Sequence, residues 1–122
     1  MAKILIAEDD LITRKVLYKI VEGMGHSVIM SPNGRHAWET LETNPDISML
    51  ITDVMMPEMD GRDLIELVRA REEFQNLPII IISAVVGPKA VANLLKMGAT
   101  LFLSKPLKVD ETRKYIERWV EV

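Results

Sequence analysis

Five short apolar runs, separated by segments with helical spacing, restrict the fold of this chain more than any other feature. Each run contains a continuous apolar stretch instead of alternating apolar and polar residues, which is typical of strands buried on both faces of a sheet. The runs occupy residues 3–7, 27–30, 48–52, 78–82 and 100–104. Strands that alternate with helices form βα units, so the sequence predicts an α/β fold with a parallel sheet.

The segments between the runs predict five helices. Their expected ranges are 11–24, 35–43, 62–73, 88–97 and 108–120. Asp10 is placed to cap the first helix, and Pro88 suits the first position of the fourth. An apolar stripe runs along the first helix, formed by Ile12, Val16, Leu17, Ile20, Val21 and Met24. In the fifth helix, the residues expected to face inward are Val109, Ile116, Trp119 and Val120.

The size and composition of the chain narrow its class. A length of 122 residues predicts one domain over 1–122. A net charge of −3, with no block of Lys and Arg, argues against direct binding of nucleic acid or of an anionic membrane. The absence of cysteine excludes disulfides, thiolate metal sites and Cys nucleophiles. No apolar stretch approaches the roughly 20 residues that span a bilayer, so the expected location is the cytoplasm.

Polar side chains follow four of the apolar runs at the point where each run ends. Asp53 follows the third run, and Glu8-Asp9, Ser83 and Lys105 follow the first, fourth and fifth. Ligands of an open parallel sheet bind at the carboxyl ends of its strands. If the runs are neighbouring strands, we expect three carboxylates, a hydroxyl and an ammonium group to converge around Asp53.

This set of side chains predicts a particular chemistry. Three carboxylates within a few ångströms repel one another, and a divalent cation relieves that repulsion. Oxygen ligands without a neighbouring His or Cys favour Mg²⁺ over zinc or copper. Lys105 brings the local charge close to neutral. A carboxylate can itself be a nucleophile, so a phosphoryl group transferred to Asp53 would meet a metal ion, an ammonium group and the Ser83 hydroxyl.

The order and spacing of these residues resemble those in the receiver domains of two-component response regulators. The chemotaxis response regulator is the single-domain type of this family. The resemblance covers the whole chain and rests on five matches. They are the acidic pair Glu8-Asp9, the phosphoacceptor loop from Asp53 through Met56-Pro57 to Met59-Asp60-Gly61, the pair Ser83-Ala84, the switch aromatic Phe102, and Lys105-Pro106. It implies a flavodoxin-like, doubly wound five-stranded parallel sheet of strand order 2-1-3-4-5 with five helices.

The resemblance also implies a role for each residue of the predicted site. Asp53 would accept the phosphoryl group. Asp9, Asp53 and the backbone carbonyl of Met55 would bind Mg²⁺ directly, and Glu8 would reach the ion through a water molecule. Lys105 would hold the Asp53 carboxylate and then a phosphoryl oxygen. The peptide bond between Lys105 and Pro106 would be cis.

A regulatory switch, rather than an independent enzyme, is the activity that the resemblance implies. On phosphorylation, Ser83 would turn to the phosphoryl group, and Phe102 would rotate into the space that it leaves. The change would be read on the surface of helix 4, strand 5 and helix 5, which is also a candidate dimer interface. The phosphoryl donor would be a histidine kinase or a phosphotransfer protein. The downstream partner would be a protein target or a fused output domain, whose identity the sequence leaves unknown.

Three other functions fit part of the sequence less well. A Mg²⁺-dependent phosphohydrolase with Asp53 as nucleophile would need a second acid at the position of Met55, and a cap domain. A flavin or nucleotide module would need a Ser/Thr/Gly-rich loop after the first strand, where Glu8 and Asp9 would repel phosphate. A docking module that is never phosphorylated would not need every chemical position to be filled.

Two apolar residues bear on how long a phosphoryl group would last. Met55 and Val85 lie two residues beyond Asp53 and Ser83, at positions that border the path of the attacking water in this family. Neither side chain can orient a water molecule, so we expect a long-lived phosphoryl group.

Helix 4 has its polar residues on one narrow face and apolar residues elsewhere. The polar residues are Lys89, Asn93 and Lys96. This pattern fits either a well-buried helix or a surface that contacts a partner or a second copy of the chain. The sequence leaves both interpretations open.

Overall fold

The computed structural model describes residues 2–84 and 87–120, which form one five-stranded parallel sheet with helices on both faces. The strands are β1 (Lys3–Ala7), β2 (Ser27–Ser31), β3 (Met49–Asp53), β4 (Ile79–Ser83) and β5 (Leu101–Ser104). Their order in the sheet is β2-β1-β3-β4-β5, and every neighbouring pair is parallel. The predicted fold class and strand order are therefore confirmed.

Five α-helices accompany the strands among the described residues, as predicted: four connect successive strands and the fifth follows β5. They are α1 (Leu11–Gly23), α2 (Gly34–Thr43), α3 (Gly61–Ala70), α4 (Pro88–Met97) and α5 (Val109–Trp119). Asp10 caps α1, because its side chain accepts a hydrogen bond from the Thr13 amide. None of the helices among the described residues is long and apolar enough to cross a membrane.

The sheet separates two hydrophobic cores. Successive side chains of a strand point to opposite faces, so Leu5 and Ala7 enter one core while Ile4 and Ile6 enter the other. The first core lies under α2, α3 and α4, and the second lies under α1 and α5. Strands β3 and β4 are buried along their whole length, which explains why their sequences are apolar up to Thr52-Asp53 and Ser83.

The third helix ends earlier than predicted. It stops at Ala70, and Arg71 takes an extended conformation before a 3₁₀ turn over Glu72–Phe74. The Arg71 guanidinium forms ion pairs with Glu42 and Glu73 and lies 5.4 Å from the centre of the Trp38 ring. These contacts hold the chain away from the helical path.

Three residues predicted to face inward are exposed, and those predictions were wrong. Ile12 is 74% exposed, Val109 49% and Trp119 38%. Each lies in the first or last turn of its helix. A 13-residue helix such as α1 is about 20 Å long, whereas a five-residue strand spans about 16 Å, so helix ends extend past the sheet. Thr112, which was not predicted, is buried beside Ile116 on the inner face of α5.

Helix α4 is not well buried, so that interpretation of its apolar residues was wrong. Among its residues only Leu94 is buried, and Leu95 is exposed. The helix lies beside β5, the last strand of the sheet, where less of the sheet is available to cover it. The alternative, a surface for a partner or a second copy of the chain, stays a prediction.

The C-terminal end of α4 is fixed to α3 by one side chain. Arg69 donates hydrogen bonds to the Gly98 carbonyl from Nε (3.0 Å) and Nη2 (2.9 Å), and to the Phe74 carbonyl from Nη1 (2.7 Å). Gly98 has a φ of +123°, which L-amino acids other than glycine rarely adopt.

We expect Gly98→Ala to destabilise the fold. An added Cβ would lie 2.7 Å from Arg69 Cγ, and the φ of +123° would become strained. We expect a loss of about 1–3 kcal/mol in the free energy of unfolding, measured by urea denaturation. Gly23→Ala is the matched control, because a Cβ at Gly23 meets nothing within 4 Å. Equal effects of the two substitutions would contradict this account of Gly98.

Candidate functional site

The predicted site residues lie together at the carboxyl edge of the sheet. Asp53 and Ser83 are the last residues of β3 and β4, while Glu8 and Lys105 directly follow β1 and β5. Strand β3 lies between β1 and β4, so Asp53 occupies the middle of this edge. The strand order thus brings residues that are far apart in the sequence close together in space.

The Asp53 carboxylate is nearly buried, with 6% of the residue exposed, and both of its oxygens have partners. Oδ1 accepts a hydrogen bond from the Val54 amide at 2.6 Å, and Oδ2 accepts one from Lys105 Nζ at 2.7 Å. The hydroxyl of Thr52 donates to the Asp53 carbonyl at 2.9 Å. The contacts of Oδ1 and Oδ2 hold the carboxylate in one orientation, and a nucleophile that is already oriented attacks more efficiently.

Lys105 connects the two buried acids. Its amide donates to the Ser83 carbonyl at 2.8 Å, and the Lys105–Pro106 peptide bond is cis, as the resemblance implied. Its Nζ lies 2.7 Å from Asp53 Oδ2 and 3.0 Å from Glu8 Oε1. Burial alone would lower the pKa of Lys105, but its contacts with Asp53 and Glu8 outweigh burial and raise that pKa. The side chain is therefore a stable ammonium group.

Glu8 is fully buried beside this ammonium group. Its amide donates to the Ser31 carbonyl at 3.0 Å, and its Oε2 accepts a hydrogen bond from the Asp10 amide at 3.0 Å. Burial raises the pKa of Glu8 to about 7, although the hydrogen bond from the Asp10 amide and the contact with the Lys105 ammonium group act in the opposite direction. Its Oε1 is in ion-pair range of Lys105 but has no well-aligned hydrogen-bond donor among the described residues.

Three carboxylates of the site fit a hard divalent cation. Glu8, Asp9 and Asp53 each offer an oxygen, and these oxygens lie within 4.8 Å of one another. Asp9 is exposed, so this group is open to solvent on one side, while the incompletely satisfied Oε1 of Glu8 lies on the buried side. Oxygen ligands of this kind fit Mg²⁺ better than zinc or copper.

Ser83 and Phe102, the two predicted switch residues, lie on the same face of the sheet. Phe102 pairs with Ile81 in the register of β4 and β5, and Ser83 lies two residues beyond Ile81. Ser83 is buried, and Phe102 packs at the margin of the core under α2, α3 and α4. The two side chains therefore face the same layer of helices. Their part in a switch stays a prediction.

Of the two apolar residues predicted to prolong the phosphoryl lifetime, one is described. Met55 is 69% exposed beside Asp53. It lines a groove of about 640 Å³ that runs between the β3–α3 loop and α4 and also reaches Ser83. Val85 lies outside the described residues.

Sequence reasoning missed three contacts that shape the site. They are the hydrogen bond of Thr52 to the Asp53 carbonyl, that of the Asp10 amide to Glu8, and the contact of Gly34 with the Met59 carbonyl. Helix α2 begins at Gly34, one residue earlier than predicted, and Asn33 caps it. An Asn directly before a helical segment is an N-cap pattern, which is the signal that was available.

Comparison with known proteins identifies relatives along nearly the whole chain. Residues 4–117 match the family model described as "Response regulator receiver domain". The chain is 34% identical over 116 residues to the chemotaxis protein CheY1 of Helicobacter pylori, covering 94% of each protein.

Solved structures show the same fold. The chemotaxis protein CheY4 of Vibrio cholerae superposes with a TM-score of 0.91 at 26% identity, covering 98% of this chain and 99% of that one. The receiver domain of a sensor histidine kinase from Pseudomonas aeruginosa, described with a magnesium ion in its active site cleft, gives a TM-score of 0.87 at 26% identity. That match covers 97% of this chain and 96% of the other.

We expect the Mg²⁺-free protein to lose stability as Glu8 ionises. Folding raises the pKa of Glu8 from 4.5 to about 7, so the folded state binds the proton more tightly. The resulting stabilisation is fully present below pH 4.5 and is lost as the pH rises through about 7. Relative to Glu8→Gln, the wild-type free energy of unfolding should fall by about 3 kcal/mol between about pH 5 and about pH 8.

Chemical denaturation with a chelator present, at a series of pH values, measures this difference. Glu8→Gln serves as the reference because its side chain does not titrate, whereas all other groups are shared. Parallel stability curves for the two proteins would show that Glu8 has no raised pKa in the fold.

Proposed function

The chain belongs to the family of response regulator receiver domains, and we propose that it is a phosphoacceptor switch in which Asp53 takes the phosphoryl group. Members of this family are regulatory components of two-component signalling. The observation that carries the proposal is the 2.7 Å contact between Lys105 Nζ and the nearly buried Asp53 carboxylate, next to the two acids Glu8 and Asp9.

Mg²⁺ is the cofactor that the proposal requires. Asp9, Asp53 and the backbone carbonyl of Met55 would hold the ion directly, and Glu8 would do so through a water molecule. When bound, the ion supplies positive charge that stabilises the oxygens of the phosphoryl group during transfer. The close spacing of the Glu8, Asp9 and Asp53 oxygens supports this assignment.

The phosphoryl donor in this proposal is a histidine kinase or a phosphotransfer protein. An oxygen of Asp53 bonds to phosphorus, and the phosphorus–nitrogen bond of the donor's phosphohistidine breaks, leaving its electron pair on the imidazole ring. Lys105 then moves its hydrogen bond from the carboxylate to a phosphoryl oxygen. Because the ammonium group is already in contact with Asp53, this exchange needs only a small movement.

We propose that Ser83 and Phe102 convert the modification into a change at the surface. Ser83 turns to hydrogen-bond the phosphoryl group, and Phe102 moves into the space that it leaves. The altered surface of α4, β5 and α5 controls a protein target or a fused output domain, or pairs with a second copy of the chain. The exposure of α4 supports this choice of surface.

The same proposal excludes independent catalysis. A phosphohydrolase with Asp53 as nucleophile would need a second acid two residues later, where Met55 stands. A docking module that is never phosphorylated would not need every chemical position of the site to be filled. Two further parts of the proposal are a single domain over 1–122 and a cytoplasmic location. Both are inferred from length and composition.

We expect the protein to gain one phosphoryl group when it is incubated with Mg²⁺ and acetyl phosphate. Asp53→Asn should remove the adduct, because an amide cannot attack phosphorus as a carboxylate does. Intact-protein mass spectrometry measures the adduct. Asp63→Asn is the matched control, since Asp63 lies in the first turn of α3 and is exposed. An adduct that persists in Asp53→Asn would remove Asp53 as the acceptor.

We expect Met55→Asn, alone or with Val85→Glu, to shorten the lifetime of the phosphoryl group several-fold. An amide or carboxylate at these positions can hydrogen-bond the attacking water, which a thioether or an isopropyl group cannot orient. The decay of the phosphorylated protein after removal of the donor gives the rate. Leu95→Asn, the same kind of change at an exposed position of α4, should leave that rate unchanged. An unaltered lifetime in the double variant would contradict the explanation.

A further inference from the structure

Gly34, the first residue of α2, touches the loop that follows Asp53. Its amide donates a hydrogen bond to the Met59 carbonyl at 3.2 Å. A Cβ added at Gly34 would lie 2.1 Å from that carbonyl oxygen and 2.9 Å from the carbonyl carbon, distances that real Cβ atoms essentially never show. The helix can therefore approach the loop this closely only without a side chain at this position.

Backbone conformation does not explain this glycine. Among the described residues, the glycines with positive φ are Gly25 and Gly98, so Gly34 is in a conformation that any residue adopts. Alanine in a helix is more favourable than glycine by about 0.5–1 kcal/mol. The close contact with Met59 is the feature of the structure that requires glycine here.

The contacted loop is closed on itself and includes a strained residue. The Gly61 amide donates to the Val54 carbonyl at 2.8 Å, and the Met59 amide donates to the Pro57 carbonyl at 2.8 Å. Glu58 has a φ of +71°, which is uncommon for a residue other than glycine. A loop of this kind keeps its conformation only when its surroundings fix it.

The end of α2 is a rigid support for the loop. Asn33 caps the helix through a 2.8 Å hydrogen bond from the His36 amide. Ala37 and Leu41 are fully buried in the core under α2, α3 and α4, so the helix cannot shift without disturbing that core. The Met59 carbonyl also satisfies one of the amide groups that lack a partner inside the helix.

We propose that Gly34 is a positioning residue for the metal site. By holding the Met59 end of the β3–α3 loop, it fixes the path of the chain that presents the Met55 carbonyl beside Asp53. The inference rests on the proposed function, which assigns that carbonyl to Mg²⁺. Gly34→Ala would force the Met59 carbonyl oxygen from 2.1 Å to at least 3.0 Å from the new Cβ. Met55 lies four residues earlier in the same loop, which the Gly61–Val54 hydrogen bond closes, so the displacement of Met59 would shift the Met55 carbonyl as well.

The test is the Mg²⁺ affinity of the folded protein, measured from amide chemical shifts in a titration with Mg²⁺ alone. We expect Gly34→Ala to weaken binding roughly tenfold, as is typical when a group supporting a metal ligand is lost. Gly23→Ala should bind like the wild type, since its Cβ meets nothing within 4 Å. An unchanged affinity in Gly34→Ala would overturn the inference.

A second variant separates positioning from general loss of stability. Leu17→Ala removes a fully buried side chain from the other core, under α1 and α5, and does not touch the loop. We expect it to lower the unfolding temperature more than Gly34→Ala does, yet to keep the wild-type Mg²⁺ affinity. If Leu17→Ala weakened Mg²⁺ binding to the same degree, Gly34 would have no specific role.

Measurements on the wild type decide the inference if Gly34→Ala does not fold. Saturating Mg²⁺ should slow hydrogen exchange of the Gly34 amide, because that amide is bonded to the loop which the ion orders. An unchanged exchange rate would overturn the inference. Phosphorylation is measured separately. If the wild type bound Mg²⁺ but formed no adduct with acetyl phosphate, the proposed function would be refuted. The Mg²⁺ affinities of the variants would still decide the role of Gly34.

Discussion

One ammonium group compensates two buried carboxylates, and the arrangement of the strand ends depends on it. Lys105 Nζ lies 2.7 Å from Asp53 and 3.0 Å from Glu8, neither of which has much access to water. A buried ion pair adds little net stability, but removing one member leaves an uncompensated charge and is costly. The contact joins the ends of β1 and β3 to the segment after β5, and it places the ammonium group beside the acids that would bind a metal ion.

The alternation of runs and helices, and the polar residues that follow four of the runs, were visible in the sequence because both follow from local rules. A strand buried on both faces must be apolar along its length, so Asp53 and Ser83 were conspicuous where those runs stop. The carboxyl-edge rule then predicted that Glu8 and Lys105 would join them. Strand order was different: it came from the resemblance, because five similar runs do not specify which of them pair.

The features that sequence reasoning missed depend on distances between elements. Ile12 and Trp119 match the apolar pattern of their helices, but the helices extend past the short strands, and a pattern contains no information on that overhang. Arg71 left the helical path because Glu42, which belongs to another helix, lies close to it. The local sequence does not explain Gly34, because the Met59 carbonyl that requires a glycine there is distant in the sequence.

The hydrogen bonds of Arg69 to the Gly98 carbonyl hold α4 at its C-terminal end, so a tilt of the helix would pivot about that end. One end of the helix is held by two hydrogen bonds to a single carbonyl. Leu94 is the only buried residue of the helix, and Met97, near the same end, packs at the margin of the core. A ten-residue helix is about 15 Å long, so a tilt of about 5° around Gly98 moves the Pro88 end by roughly 1 Å. A displacement at the Pro88 end, which follows the strand that ends at Ser83, therefore changes the direction of the whole outer face of the helix.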